Sequence, residues 1–269
     1  MNLTSEHGTI TLERDGHVLL IGLNRPDKRN AFNLAMLHDL SRAYALLESD
    51  DDLRCGVLFA HGEHFTAGLD LADVAPAIQA GTGFYPADGR DPWRLDGDWT
   101  TPVVAAAQGR VLTLGIELLL AADIRVASRD ARFSQLEVRR GIYPFGGATL
   151  RFPRETGWGN AMRWMLTGDE FDAAEAHRIG LVQEVADTDP VAHAVAIARS
   201  IADTAAPLGV RAVLESAHRA RDHGDRAAID ELTPTVARLF ATADGQEGIR
   251  SFLERRQAVF TGRPAVSGQ

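Results

Sequence analysis

The sequence predicts an α/β core that runs into a helical extension. Two observations carry this. Apolar strand-like runs alternate with helix-like periods as far as Val185, and from Pro190 onward the pattern is helical with no strand run. A third observation bounds the size. The chain has 269 residues, 45% hydrophobic and 24% charged, which suits one large α/β domain or a core with a helical appendage.

Element by element, residues 9–14 and 17–23 alternate loosely around Asp15-Gly16 and read as a β-hairpin. Residues 24–30 form a polar turn containing Pro26. Asn33 caps a helix whose apolar face is Leu37, Leu40, Tyr44 and Leu47. A buried strand begins near Cys55 and continues over 57–60. The turn HGEHFTAGLDL ends near Gly68 and opens another helical segment. Residues 80–100, rich in Gly, Pro, Asp and aromatics without a period, read as a long ordered loop or lid. The Gly-Thr-Gly there lacks the preceding strand and the spacing of a dinucleotide fingerprint.

A strand follows at 103–107, then a turn at Gly109, a short buried helix carrying Glu117, and a strand at 124–127. Glu137 precedes a Gly-rich turn. Helices follow near 147–155 and 160–166. Asp172 and Glu175 form a capping-box-like start for a helix ending at Gly180, and 182–185 reads as a short strand.

Composition excludes several classes of function. The net charge of −9 argues against a general nucleic-acid binder, although local cations and helix N-termini still suit an anionic ligand. No apolar run reaches the roughly 18 residues of a membrane-spanning helix, and MNLTSEHGTI lacks the basic and apolar regions of a signal peptide. The single cysteine, Cys55, cannot form an internal disulfide, so a reducing cytoplasm is expected. His61 and His64 are three apart in a turn with no further ligands, and no metal site is expected. There is no G-x-S-x-G elbow. Lys28 is the sole lysine in an Arg-rich chain, which marks it for attention.

The informative residues are Glu117 and Glu137. Each is a carboxylate in an apolar stretch, a costly placement unless it is paired or protonated. Leu114 stands near the start of the short helix, and residues three apart share a helix face. The Leu114 N–H and the Glu117 carboxylate are therefore expected to point into one space. Two carboxylates facing one pocket make an acid–base arrangement.

Six segments, LNRPDKRNAF, HFTAGLDL, PVVAAAQGRVLTLGIELLLAADIRVA, QLEVRRGIYPFGGATL, TGDEFDAAEAHRIGLV and FLERRQAVFTGR, together resemble the enoyl-CoA hydratase/isomerase (crotonase) superfamily. The resemblance runs through almost the whole chain in order. Residues 80–100 stand outside it.

It implies a spiral of repeated ββα units, with a core domain over residues 1–195. It also implies a C-terminal helical region over 196–269 that builds a homo-trimer or homo-hexamer and completes the CoA site. The implied substrate is an acyl-CoA thioester. The implied oxyanion hole is the pair of N–H groups of Ala67 and Leu114, and the implied catalytic pair is Glu117 for water activation and Glu137 for the C2 proton. Lys28, Arg29, Ala31, Ala67, Gly68, Leu69 and Asp70, with Arg255 near the C-terminus, are the implied CoA contacts. No metal or separate cofactor is implied, since CoA arrives on the substrate.

Three positions depart from the family's pattern. Thr113-Leu114-Gly115 replaces a glycine triplet, Phe145 replaces a small residue beside the acyl chain, and Arg255 replaces a lysine. Enoyl-CoA hydration is the leading reading. A Δ3,Δ2-enoyl-CoA isomerase and a non-catalytic CoA-ester binder are the alternatives.

Overall fold

A computed structural model describes residues 2–81 and 83–263. Thr82, inside the 80–100 loop, and residues 264–269, at the end of the helical region, lie outside the described residues.

The chain opens with three antiparallel strands, β1 (Asn2–Thr4), β2 (Ile10–Asp15) and β3 (Val18–Leu23). The β2–β3 connection is the two-residue loop Gly16-His17. Gly16 has φ +58° at the first position and His17 is not left-handed, the pattern of a tight hairpin turn with glycine first. Helix α1 (Leu34–Ser49) begins where Asn33 accepts the Met36 N–H at 3.0 Å. It buries Leu37, Leu40, Tyr44 and Leu47, the apolar face expected from their spacing.

Strand β4 (Cys55–Ala60) pairs parallel with β3, and α2 (Leu71–Gln79) follows. After the 80–100 segment come β5 (Val103–Ala107), β6 (Arg110–Leu112), α3 (Leu114–Ala121), β7 (Ile124–Ser128) and β8 (Arg132–Ser134). Helices α4 (Ala148–Thr156) and α5 (Trp158–Thr167), strand β9 (Phe171–Asp172) and helix α6 (Ala173–Arg178) lead to β10 (Glu184–Ala186). Four helices follow among the described residues: α7 (Pro190–Thr204), α8 (Pro207–His223), α9 (Asp225–Phe240) and α10 (Ala243–Glu254).

The large sheet has the order β1-β2-β3-β4-β5-β7-β10, parallel from β3 onward. A small sheet, β6-β8-β9, lies apart from it. Alternation along the buried strands splits the core in two. Val103, Ala105 and Ala107 of β5 join the layer shared with α1, α3 and the small sheet. Val104 and Ala106 face the other way, with Val57 and Val126, against Ala194, Ala198 and Ala202 of α7. Alanine at every fourth position lets α7 lie close on the sheet. Position 195, the boundary read from the sequence between core and helical region, falls inside this helix.

Two details differ from the sequence expectation. The strand expected over 182–185 begins at Glu184 instead. The amides of Leu181 and Val182 are bonded to the Ala176 carbonyl at the end of α6, so ladder pairing to β7 starts only beyond them. The short strands β6, β8 and β9 were not anticipated as a second sheet.

Among its described residues the 80–100 segment has no regular strand or helix, but it is internally tied. Asp91 accepts the amides of Trp93 and Leu95, and Arg94 bridges Asp123 (2.9 Å) and the Thr101 carbonyl (3.0 Å). Trp93 and Trp99 within it are buried, against Phe32 and Tyr44 respectively.

Candidate active site

Helix α3 is wholly buried, so Glu117 is 0% exposed; Glu137, in a 3-10 turn over Leu136–Arg140, is 4% exposed. Glu117 Oε1 accepts the Ala148 N–H at 2.9 Å, and the neighbouring amides of Gly146 and Gly147 also favour its charge. Those donors exist because the Gly146-Gly147 turn opens α4 with its N–H groups toward Glu117.

Burial nevertheless dominates and lifts the Glu117 carboxyl to about 7, against the pull of these amides and of Arg151. Glu137 is also lifted to about 7, first by burial and further by the Glu117 charge. Both keep one buried oxygen, Oε2, without a hydrogen-bond partner among the described residues.

A linkage prediction follows from these shifts. Both carboxyls sit above their ordinary 4.5 in the folded state, so between about pH 4.5 and 7 the native protein holds protons that the unfolded chain releases. Their contribution is complete below about pH 4.5 and is lost as pH rises through about 7. Glu117→Gln or Glu137→Gln should therefore raise Tm at pH 8, by an amount on the order of 2–3 kcal/mol in stability, and leave Tm near wild type at pH 4. Thermal melts at the two pH values check this. An equal shift at both would remove the burial account.

Glu137 lines a cavity of about 220 Å³ with Ala67, Leu69, Leu71, Leu112, Leu114 and Phe145, among others. Glu117 is not among the lining residues. Its Oε2 and the tip of Leu114 both lie against Gly146, where an added Cβ would sit 2.9 Å from the oxygen and 2.6 Å from Leu114 Cδ2. The leucine in place of glycine thus crowds the space between the carboxylate and the cavity. The Glu117 charge acts on Glu137, but only Glu137 forms the open wall.

The backbone donors differ from expectation at one position. The Ala67 N–H donates to the Arg29 carbonyl at 2.9 Å and is therefore already engaged. Two residues on, Phe32 bonds to the Gly68 carbonyl and accepts from the Asp70 amide, which leaves the Leu69 N–H between them without an acceptor among the described residues. The Leu114 N–H, at the first position of α3, is likewise without one. The expected pair of open N–H groups, Ala67 and Leu114, is therefore not the pair the fold leaves open: Leu69 takes the place of Ala67, because a backbone N–H already held by a carbonyl has no bond left to give. Periodicity of the TAGLD segment could not reveal this, since the competing carbonyl belongs to a distant turn.

The remaining sequence-derived residues divide. Arg29, left-handed at φ +51°, lines a second cavity of about 490 Å³ with Ala67, Arg110, Arg139 and Arg140. The two cavities share Ala67, Leu112, Leu136 and Arg140 in their walls. Lys28 is exposed in the same turn, and Ala31 closes it by accepting from the Arg25 guanidinium. Gly68 needs φ +88°, and Asp70 pairs with Arg25 at 3.3 Å. Arg255 is exposed at the end of α10 and lines neither cavity.

Sequence reasoning missed Trp93, whose indole Nε1–H donates to the Leu114 carbonyl at 3.0 Å while its ring stacks on Tyr85 and meets Phe32 edge-on. It also missed Arg110, Arg139 and Arg140. The Arg139-Arg140 pair, which begins two residues after Glu137, was a visible signal. Cys55 is buried with its thiol pushed up to about 12, so it is inert as a nucleophile. Among the described residues no group of three or more His, Cys, Asp or Glu side chains is placed to hold a metal ion, and no helix is long and apolar enough to cross a membrane.

Comparison with known proteins shows the family. The family model described as enoyl-CoA hydratase/isomerase matches residues 13–263. Enoyl-CoA hydratase EchA19 of Mycobacterium tuberculosis is 34% identical over 97% of this chain and 99% of its own length. The 2,3-dehydroadipyl-CoA hydratase of Escherichia coli is 32% identical over 94% and 99%. The crystal structure of a probable enoyl-CoA hydratase/isomerase from Mycobacterium abscessus superposes with a TM-score of 0.93 at 55% identity, covering 96% of this chain and all of that one. With a family model spanning most of its length and the fold of these structures, the chain belongs to the enoyl-CoA hydratase/isomerase (crotonase) superfamily.

Proposed function

We infer that this protein is an enoyl-CoA hydratase, adding water reversibly across the 2,3 double bond of an enoyl-CoA thioester. The observation that carries the reading is the pair Glu117 and Glu137, both lifted to about 7 beside two backbone N–H groups that lack acceptors among the described residues. Near neutral pH such a pair shares roughly one proton, which is the state hydration needs. Glu117 takes a proton from water as the oxygen bonds to C3. The π electrons move onto the thioester oxygen, held by the N–H groups of Leu69 and Leu114. Glu137 then delivers a proton to C2, restoring the thioester. Fixed donors stabilise the transient oxyanion without reorganising. The reaction balances with water alone, so it calls for no metal or redox cofactor.

The two adjoining cavities fit a CoA ester in outline. The apolar one suits the thioester and acyl group, and the arginine-lined one suits phosphates. Lys28 and Arg29 take the nucleotide phosphates, with Ala31, Ala67, Gly68, Leu69 and Asp70 forming the wall. Arg255 reaches the nucleotide of a neighbouring copy in a trimer or hexamer. The exposed Ile229, Leu232, Val236, Phe240, Phe252 and Leu253 on α9 and α10 support such an assembly. A cytoplasmic location accords with the single buried thiol.

One observation favours a second reading. Glu137 alone lines the open cavity, and a single carboxylate suffices for Δ3,Δ2-enoyl-CoA isomerisation. Two assays separate the possibilities. Loss of the conjugated-thioester absorbance of crotonyl-CoA is the expected result. No loss, with a gain from a 3-enoyl-CoA, assigns isomerisation instead. No change with either substrate leaves only binding.

A further inference from the structure

Thr113 sits in a conformation that its residue type resists. Its φ is +51° and its ψ is −118°, a region suited to glycine and strained for a β-branched side chain. Three bonds impose it. The Thr113 N–H donates to the Ser134 carbonyl at 2.9 Å, the Leu112 N–H donates to the Thr66 carbonyl at 3.1 Å, and the Thr113 carbonyl accepts the Ile116 amide at 2.9 Å as α3 begins. This conformation directs the hydroxyl at Gly68, where an added Cβ would lie 2.0 Å from Thr113 Oγ1. Gly68 immediately precedes Leu69, and Thr113 immediately precedes Leu114. The hydroxyl thus belongs to the residue before Leu114 and lies against the residue before Leu69, the two whose N–H groups have no acceptor among the described residues. Thr113 lines the same cavity as Glu137, Leu69 and Leu114, and its hydroxyl has no hydrogen-bond partner among the described residues.

We propose that the Thr113 hydroxyl is a third hydrogen-bond donor to the thioester oxygen of the substrate, beside the N–H groups of Leu69 and Leu114. This rests on the hydratase reading. A glycine here would give the same backbone with less strain and no hydroxyl. Threonine adds a donor where negative charge develops when water attacks C3, and the charge is relieved when C2 takes its proton. A strained residue at such a point is where stability is traded for chemistry.

Three variants test it: Thr113→Val, which keeps the shape and removes the hydroxyl, Thr113→Ser, which keeps the hydroxyl, and Thr113→Gly, which relieves the backbone. Turnover of crotonyl-CoA should fall roughly 100-fold in the Val and Gly variants, the scale of one lost oxyanion donor, with KM little changed. The Ser variant should keep most of the activity. The Gly variant should melt at a higher temperature than wild type while being slower, a combination that a purely structural threonine does not produce. The infrared carbonyl stretch of a bound saturated acyl-CoA, labelled with carbon-13 at the thioester, should shift less toward low frequency in Val and Gly than in wild type and Ser. Wild-type kcat and an unchanged carbonyl shift in either the Val or the Gly variant would overturn the proposal. If Val does not fold, Gly decides alone. Failure of the underlying hydratase reading shows separately, as a wild-type protein inert toward crotonyl-CoA.

Discussion

Glu117→Gln and Glu137→Gln will each lower kcat for enoyl-CoA hydration by at least ~100-fold, the usual scale for a lost general acid or base. Binding of the CoA ester should change little. Glutamine keeps the Oε1 acceptor that Glu117 offers to the Ala148 amide, so the turn before α4 stays in place. What it removes is the ability to exchange a proton at the buried, unpartnered Oε2. The doubly substituted protein should be little slower than the weaker single variant, because the two groups share one proton and act as a unit. Steady-state kinetics of the three variants checks this. Near wild-type turnover in either single variant would remove the two-carboxylate mechanism. Loss confined to Glu137 would point to one-carboxylate isomerase chemistry.

Leu114→Pro will cost roughly 100- to 1,000-fold in kcat, about 3 kcal/mol of transition-state stabilisation, by deleting one backbone oxyanion donor. Proline is tolerated at the first position of a helix, where its missing N–H breaks no helical bond. Leu114 occupies that position in α3. Proline also restricts the residue before it, so circular dichroism must show that the variant remains folded. Leu114→Gly is the control. It keeps the N–H, opens the space beside Glu117 that the leucine tip crowds, and should retain activity with wider tolerance for the acyl group. A folded proline variant with unimpaired kcat would place the thioester oxygen elsewhere.

Much of the fold was legible because its signals are local. The Asn33 cap and the spacing of Leu37, Leu40, Tyr44 and Leu47 describe α1 as it stands, since a cap bond and a helix face depend on residues within a few positions. Gly16 announces the β2–β3 turn for the same reason. The start of β10 was less legible, because whether Val182 pairs in a sheet depends on the end of α6 holding its amide. The second sheet escaped notice because strands of two or three residues show no period.

By itself the sequence determined the alternation of strands and helices, the family resemblance, and two carboxylates placed where apolar surroundings make them costly. Tertiary structure decided which backbone amides remain available. Ala67 and Leu69 are two residues apart in one segment, yet the Arg29 carbonyl takes the first and no acceptor among the described residues takes the second. It also decided that Trp93, from a segment without periodicity, holds the Leu114 carbonyl, and that Thr113 is forced into a glycine conformation over Gly68. The physical reason is common to all three. A side chain's polarity is written at its own position, whereas a hydrogen-bonding group is free or engaged according to partners that folding brings from far along the chain.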